Sequence, residues 1–124
     1  MPANSKFNSV AFSLNSNSQN DSTPKVTKAT LKALNPDVRG NCTQVIRFKG
    51  IITFNGRGTV KYRFLRSDGA KAPVKSLYFD RAGQKLVSTE WHLGKSYQGW
   101  QAIEIISPNK MQSNRANFTL RCTN

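Results

Sequence analysis

One histidine, two cysteines and six acidic residues are all that this chain offers of the side chains that most often do chemistry. His92 is alone, so a histidine-rich metal site cannot be assembled, and its phase places it opposite Trp91, on the solvent side of a strand. The carboxylates Asp21, Asp37, Asp68, Asp80, Glu90 and Glu104 are too few and too scattered to suggest an acid/base pair. Asp37, Asp68 and Asp80 sit in turn sequences, where Asp stabilises the local backbone, and Glu90 and Glu104 fall on outward phases beside basic residues. Cys42 and Cys122 lack the short C-x-x-C spacing of a metal or redox pair. No apolar stretch approaches the roughly 18 residues of a membrane-spanning helix, and no segment carries a 3.6-residue period. Gly56-x-Gly58 has no helix after it and is a turn element rather than a phosphate cradle. These gaps argue against an enzyme and against a metal or cofactor.

Charge is what the chain has in excess. Nineteen Lys and Arg against six Asp and Glu give a net charge of +13. Such a balance favours polyanions: nucleic acid, anionic lipid or an acidic cell-wall polymer. The basic residues are spread along the chain rather than clustered, which is also what a solvated basic surface looks like. Residues 1–24 are dominated by Asn, Ser and Thr and read as a disordered tail or linker, although Val10, Phe12 and Leu14 alternate as a short edge strand would. No apolar signal-peptide core is visible at the N-terminus, so export requires a leader that has been removed.

From Lys25 onward the period is two, with turn residues every eight to twelve positions. Val26–Leu34 turns Ala29, Leu31 and Ala33 to one side and Lys28, Thr30 and Lys32 to the other, and Asn35-Pro36-Asp37 ends it. Cys42–Phe54 follows, with Cys42, Ile46, Phe48, Ile52 and Phe54 in phase and Gly50 read as a bulge or kink. Asn55-Gly56 suggests a tight hairpin into Thr59–Arg66, where Val60, Tyr62 and Phe64 point inward. Further strands hold Leu77 and Phe79, then run Gln84–Leu93 with Val87, Thr89, Trp91 and Leu93 in phase, Trp100–Ile106 with Ile103 and Ile105, and Arg115–Cys122 with Ala116, Phe118, Leu120 and Cys122 inward. Seven strands so spaced predict an all-β, antiparallel, immunoglobulin-like or fibronectin-III-like β-sandwich over residues 25–124.

The stretch from Gly50 to Cys122 carries Gly58-Thr59-Val60-Lys61-Tyr62-Arg63-Phe64, Arg66-Ser67-Asp68-Gly69-Ala70 and Trp91-His92-Leu93-Gly94. It continues with Gly99-Trp100-Gln101, Pro108-Asn109 and Ala116-Asn117-Phe118-Thr119-Leu120-Arg121-Cys122. Together these resemble a bacterial extracytoplasmic sandwich domain of secreted or surface-associated proteins. The resemblance implies the fold and the compartment, and assigns no activity.

Three expectations about sites follow. Cys42 and Cys122, both on inward phases of distant strands, pair as a disulfide across the core, which implies an oxidising compartment. In the chain-entropy treatment a loop of that length adds on the order of 4 kcal/mol. Arg47 and Lys49 lie beside Lys61 and Arg63 if the Asn55-Gly56 hairpin pairs their strands, making one basic sheet face. Trp91 belongs to the core, whereas Trp100 stands at a strand start and is a candidate ligand contact. The expected function is a non-catalytic, extracytoplasmic binding or adhesion module, monomeric, whose partner is a protein, a glycan or an anionic polymer. The alternative is an electrostatic polyanion binder, with non-specific nucleic-acid binding included.

Overall fold

A computed structural model of the chain describes residues 23–123, so the polar tail and the Val10, Phe12 and Leu14 alternation lie outside the described residues. Nine strands follow one another: β1 Val26–Ala33, β2 Asp37–Gly40, β3 Gln44–Phe54, β4 Gly58–Arg66, β5 Lys75–Phe79, β6 Gly83–Leu93, β7 Tyr97–Ser107, β8 Met111–Gln112 and β9 Ala116–Cys122. One sheet has the order β1-β3-β6; the other has the order β2-β9-β7-β4-β5, with β8 beside β7. The architecture is the expected all-β, immunoglobulin-like sandwich with one disulfide, with nine strands among the described residues where seven were expected.

The alternation read from the sequence decides which face each strand buries. Ile46, Phe48, Ile52 and Phe54 of β3 and Val87 and Trp91 of β6 meet Val60, Tyr62 and Phe64 of β4, Ile103 and Ile105 of β7 and Phe118 of β9. Rings from opposite sheets interlock along this seam. Phe48 lies 5.8 Å from Phe118, Trp91 5.4 Å from Phe118, and Phe54 5.2 Å from Phe79, in edge-on or tilted arrangements. A register shift between Val26 and Lys28 moves β1 from one phase to the other, so that Val26 and Ala29 are both buried.

Four local expectations are corrected. Pro36 does end β1, but the chain then enters the opposite sheet as β2, which runs parallel to β9 from Asp37↔Thr119 to Gly40↔Cys122. Asp37 is therefore a strand residue. Asn55-Gly56-Arg57-Gly58 is not a hairpin: it carries the chain from β3 in one sheet to β4 in the other. The Asn55 side chain accepts from the Lys25 backbone N–H at 2.8 Å while its own N–H donates to the Lys25 carbonyl, and Pro24 sits over Gly56. That clasp to β1 directs the arch. Gly50 is not a bulge, since β3 pairs with β6 without interruption from Gln44↔Leu93 to Phe54↔Gly83. A Cβ there would lie 2.6 Å from the Thr30 carbonyl oxygen and 2.9 Å from Ile103 Cδ1, so close packing is what requires glycine. Finally, Cys42 precedes β3 instead of opening it. The Cys42–Cys122 bond, with Cα atoms 5.5 Å apart and a sequence separation of 80, joins the β2–β3 connection to the end of β9. Both cysteines are half-buried, which puts the staple on the rim of the sandwich rather than through its core.

Between Pro108 and Ala116 the chain runs alongside β1. Asn109 accepts from the Val26 N–H at 2.8 Å and donates to the Val26 carbonyl at 3.0 Å. Asn114 accepts from the Leu31 N–H at 2.9 Å and donates to its carbonyl at 2.8 Å. The two contacts share one sequence separation, 83, so the segment is parallel to β1 and two side-chain amides stand in for strand backbone. Among the described residues, this segment is what lies along the outer edge of β1.

Candidate functional site

Placing β3 and β4 in different sheets separates the four basic residues read as one face. Arg47 and Lys49 project from the outer face of the three-stranded sheet; Lys61 and Arg63 project from the outer face of the other. The core lies between them. A single Arg47–Lys49–Lys61–Arg63 surface therefore does not exist.

The outer face of the larger sheet is largely occupied with itself. Arg63 donates to Glu104 across the strands at 2.5 Å, with both side chains about two-thirds covered. Lys61 reaches Ser76 Oγ at 3.4 Å, and Arg57 donates to the Tyr78 hydroxyl at 3.2 Å. Trp100 is half-buried near the start of β7, its ring covered by the Arg115 guanidinium at 4.2 Å, and its backbone N–H and carbonyl both bond Ser67 of the β4–β5 connection. A groove of about 420 Å³ runs past Arg63, Val74, Glu104, Ile106 and Lys110 on this side.

The three-stranded sheet presents a different surface, ordered by its registers. Lys28, Thr53 and Gln84 form one cross-strand row; Thr30, Ile51 and Leu86 the next; Lys32, Lys49 and Ser88 a third. Arg47 stands opposite Glu90, which it contacts at 3.1 Å, and Glu90 also meets His92 at 3.3 Å. Lys28, Lys32 and Lys49 make no ion pair or side-chain hydrogen bond among the described residues. Lys32 and Lys49 are directly opposite, an unfavourable like-charge pair. Leu86, in the adjoining row, is 73% exposed. A depression of about 460 Å³ lies among Thr30, Lys32, Lys49, Ile51, Leu86 and Asn114. The outward phase of Lys28 and Lys32 was readable; that they share a face with Lys49 depends on β1 pairing β3, and Leu86 was signalled only as a large aliphatic residue on an outward phase.

Among the described residues the carboxylates do not converge. Glu90 and Glu104 lie on the outer faces of opposite sheets, and among the described residues no three His, Cys, Asp or Glu side chains converge as metal ligands would. Two titrations are displaced from their ordinary values, and both have structural causes. The Arg66 side chain, hydrogen-bonded to Asp68, holds that carboxyl below its usual value against a smaller opposing effect of burial. Burial pushes the Tyr62 hydroxyl upward. Arg66 itself lies 4.4 Å over the Trp91 ring, sealing one end of the core.

No protein-family model and no curated protein sequence matches the chain. Among solved structures, it is similar to the CARDB domain of a Pyrococcus furiosus protein, crystallised in complex with di-metal ions. The TM-score is 0.65 at 11% identity, covering 85% of this chain and 100% of that one. An alkylpurine DNA glycosylase from Pseudomonas fluorescens, bound to DNA containing an abasic site analog, matches at a TM-score of 0.43 and 15% identity over 76% of this chain and 30% of that one, a likeness too low to carry an argument. What the comparison with the CARDB domain establishes is the fold: this chain is an all-β sandwich of that immunoglobulin-like kind.

Proposed function

We propose that the chain is a non-catalytic, extracytoplasmic binding module whose recognition surface is the outer face of β1, β3 and β6. The observation that carries this reading is the juxtaposition of Lys32 and Lys49 with no acidic partner among the described residues. Arg47 on this face and Arg63 on the other are each neutralised by a glutamate, whereas the Lys32–Lys49 repulsion is left to whatever binds. An anionic partner offsets it, which selects acidic surfaces and polymers as the ligand class. The Cys42–Cys122 bond supports the compartment, because such bonds persist where thiols are not kept reduced.

Heparin serves as a polyanion probe. Lys32→Gln/Lys49→Gln is expected to elute from a heparin column at clearly lower salt than the parent chain. Lys61→Gln/Arg121→Gln removes the same charge from the other sheet and is expected to shift elution less. Equal shifts would mean that net charge alone governs binding and would overturn the assignment of a face.

A further inference from the structure

Resting on that face assignment, we infer that its occupant is the surface of an anionic lipid bilayer, with Leu86 seated among the headgroups. A fully hydrated polyanion needs only the cations of this face. It has no use for an exposed leucine on the same face. Yet Leu86 stands opposite Ile51 in a row flanked by Lys28 on one side and by Lys32 and Lys49 on the other. At 73% exposure it is the most exposed of the large hydrophobic residues in the described core and surface. Charged and apolar rows thus lie side by side on this sheet. A bilayer surface offers both complements at once, phosphate charge at the headgroups and acyl chain just beneath. The long lysine stems reach past the leucine, so that their ammonium groups meet phosphate while the leucine side chain passes inward.

The larger sheet serves as the internal contrast. Its exposed aliphatic residue, Val74, lines a groove whose arginine is already bound to Glu104. Lys110 beside that groove has no ion pair among the described residues, but the aliphatic residue there, Val74, is 49% exposed against 73% for Leu86. The surface that would lie on the membrane is therefore set by the sheet partition.

Sedimentation of the full chain with vesicles tests this. Mixed phosphatidylglycerol and phosphatidylcholine vesicles are expected to bind it, and pure phosphatidylcholine vesicles are not. Leu86→Ala should weaken binding to the mixed vesicles by about tenfold and leave heparin binding unchanged. Lys32→Gln/Lys49→Gln should weaken vesicle binding by about thirtyfold and heparin binding as well. Near-ultraviolet circular dichroism checks that each variant keeps its core. If Leu86→Ala changes nothing on vesicles while the lysine pair weakens both probes, the bilayer inference falls and the cationic face stands as a site for a soluble polyanion. If the lysine pair changes neither probe, the bilayer inference and the face assignment fall together.

Discussion

Gln101 lies in the middle of β7, pointing between the sheets at 1% exposure, and neither its amide oxygen nor its amide nitrogen has a partner among the described residues. A buried amide without hydrogen bonds carries its desolvation cost uncompensated, about 1–3 kcal/mol. Leucine has nearly the same volume and no such cost. Gln101→Leu is therefore expected to raise the urea midpoint of unfolding, and a lowered midpoint would show that the amide is satisfied in solution. Tyr62 supplies a second test at this scale. Burial raises its pKa, so the neutral hydroxyl is favoured in the folded state. The sign follows directly: the stability it contributes is present below the unfolded-state value of about 10 and is lost as pH rises through the higher folded value. Tyr62→Phe should flatten the fall in stability above pH ~10 relative to the parent chain. An unchanged alkaline profile would contradict the burial argument.

Among the elements, β1 depends most on side chains from elsewhere. Asn109 and Asn114 together make four hydrogen bonds to the Val26 and Leu31 backbone. Asn114→Ala leaves a half-buried N–H and carbonyl without their partners and is expected to cost about 1–3 kcal/mol. It should also speed amide hydrogen exchange at Leu31; exchange unaltered there would mean that the clasp does not hold the edge. Gly50 gives the complementary prediction for β3. Gly50→Ala drives a methyl group into the Thr30 carbonyl and Ile103 and should cost about 1–3 kcal/mol through overpacking. A neutral result would show that the two sheets can separate locally to admit it.

These elements also mark how far the sequence could be read. Phase was legible wherever apolar residues alternate for six or more positions, as in β3, β4 and β9. The short β2 was not. Asp37-Val38-Arg39-Gly40 has a single aliphatic residue, and its pairing with β9 is parallel and distant in sequence. Asn55-Gly56 has the local composition of a hairpin, but its conformation is decided by Lys25 and Pro24, some 30 residues away. That one turn governs the candidate site. Once it arches between sheets, Arg47 and Lys49 part from Lys61 and Arg63, and Lys28 and Lys32 take the place of the latter pair.

At the scale of the molecule, a net charge of +13 is borne by both outer faces of a sandwich stapled at its rim. The staple closes a long loop, so Cys42→Ser/Cys122→Ser should lower stability by about 2–4 kcal/mol. Because both sulfurs lie on the rim, the core rings should keep their near-ultraviolet signature in the folded fraction. Loss of that signature would show that the bond organises the core rather than tying its edge. Charge alone does not distinguish the two faces, since each carries lysine and arginine. The distinction lies in the exposed leucine: each face holds one Arg–Glu pair, Arg47–Glu90 or Arg63–Glu104, and Lys28, Lys32 and Lys49, without acidic partners among the described residues, share their face with Leu86. The account thus turns on which side of the sandwich meets an anionic ligand. Titrating the isotope-labelled chain with phosphatidylglycerol bicelles and following its amide resonances addresses this directly. Perturbations concentrated at Lys32, Lys49, Ile51 and Leu86 are expected; perturbations centred on Lys61, Arg63 and Trp100 would contradict the account.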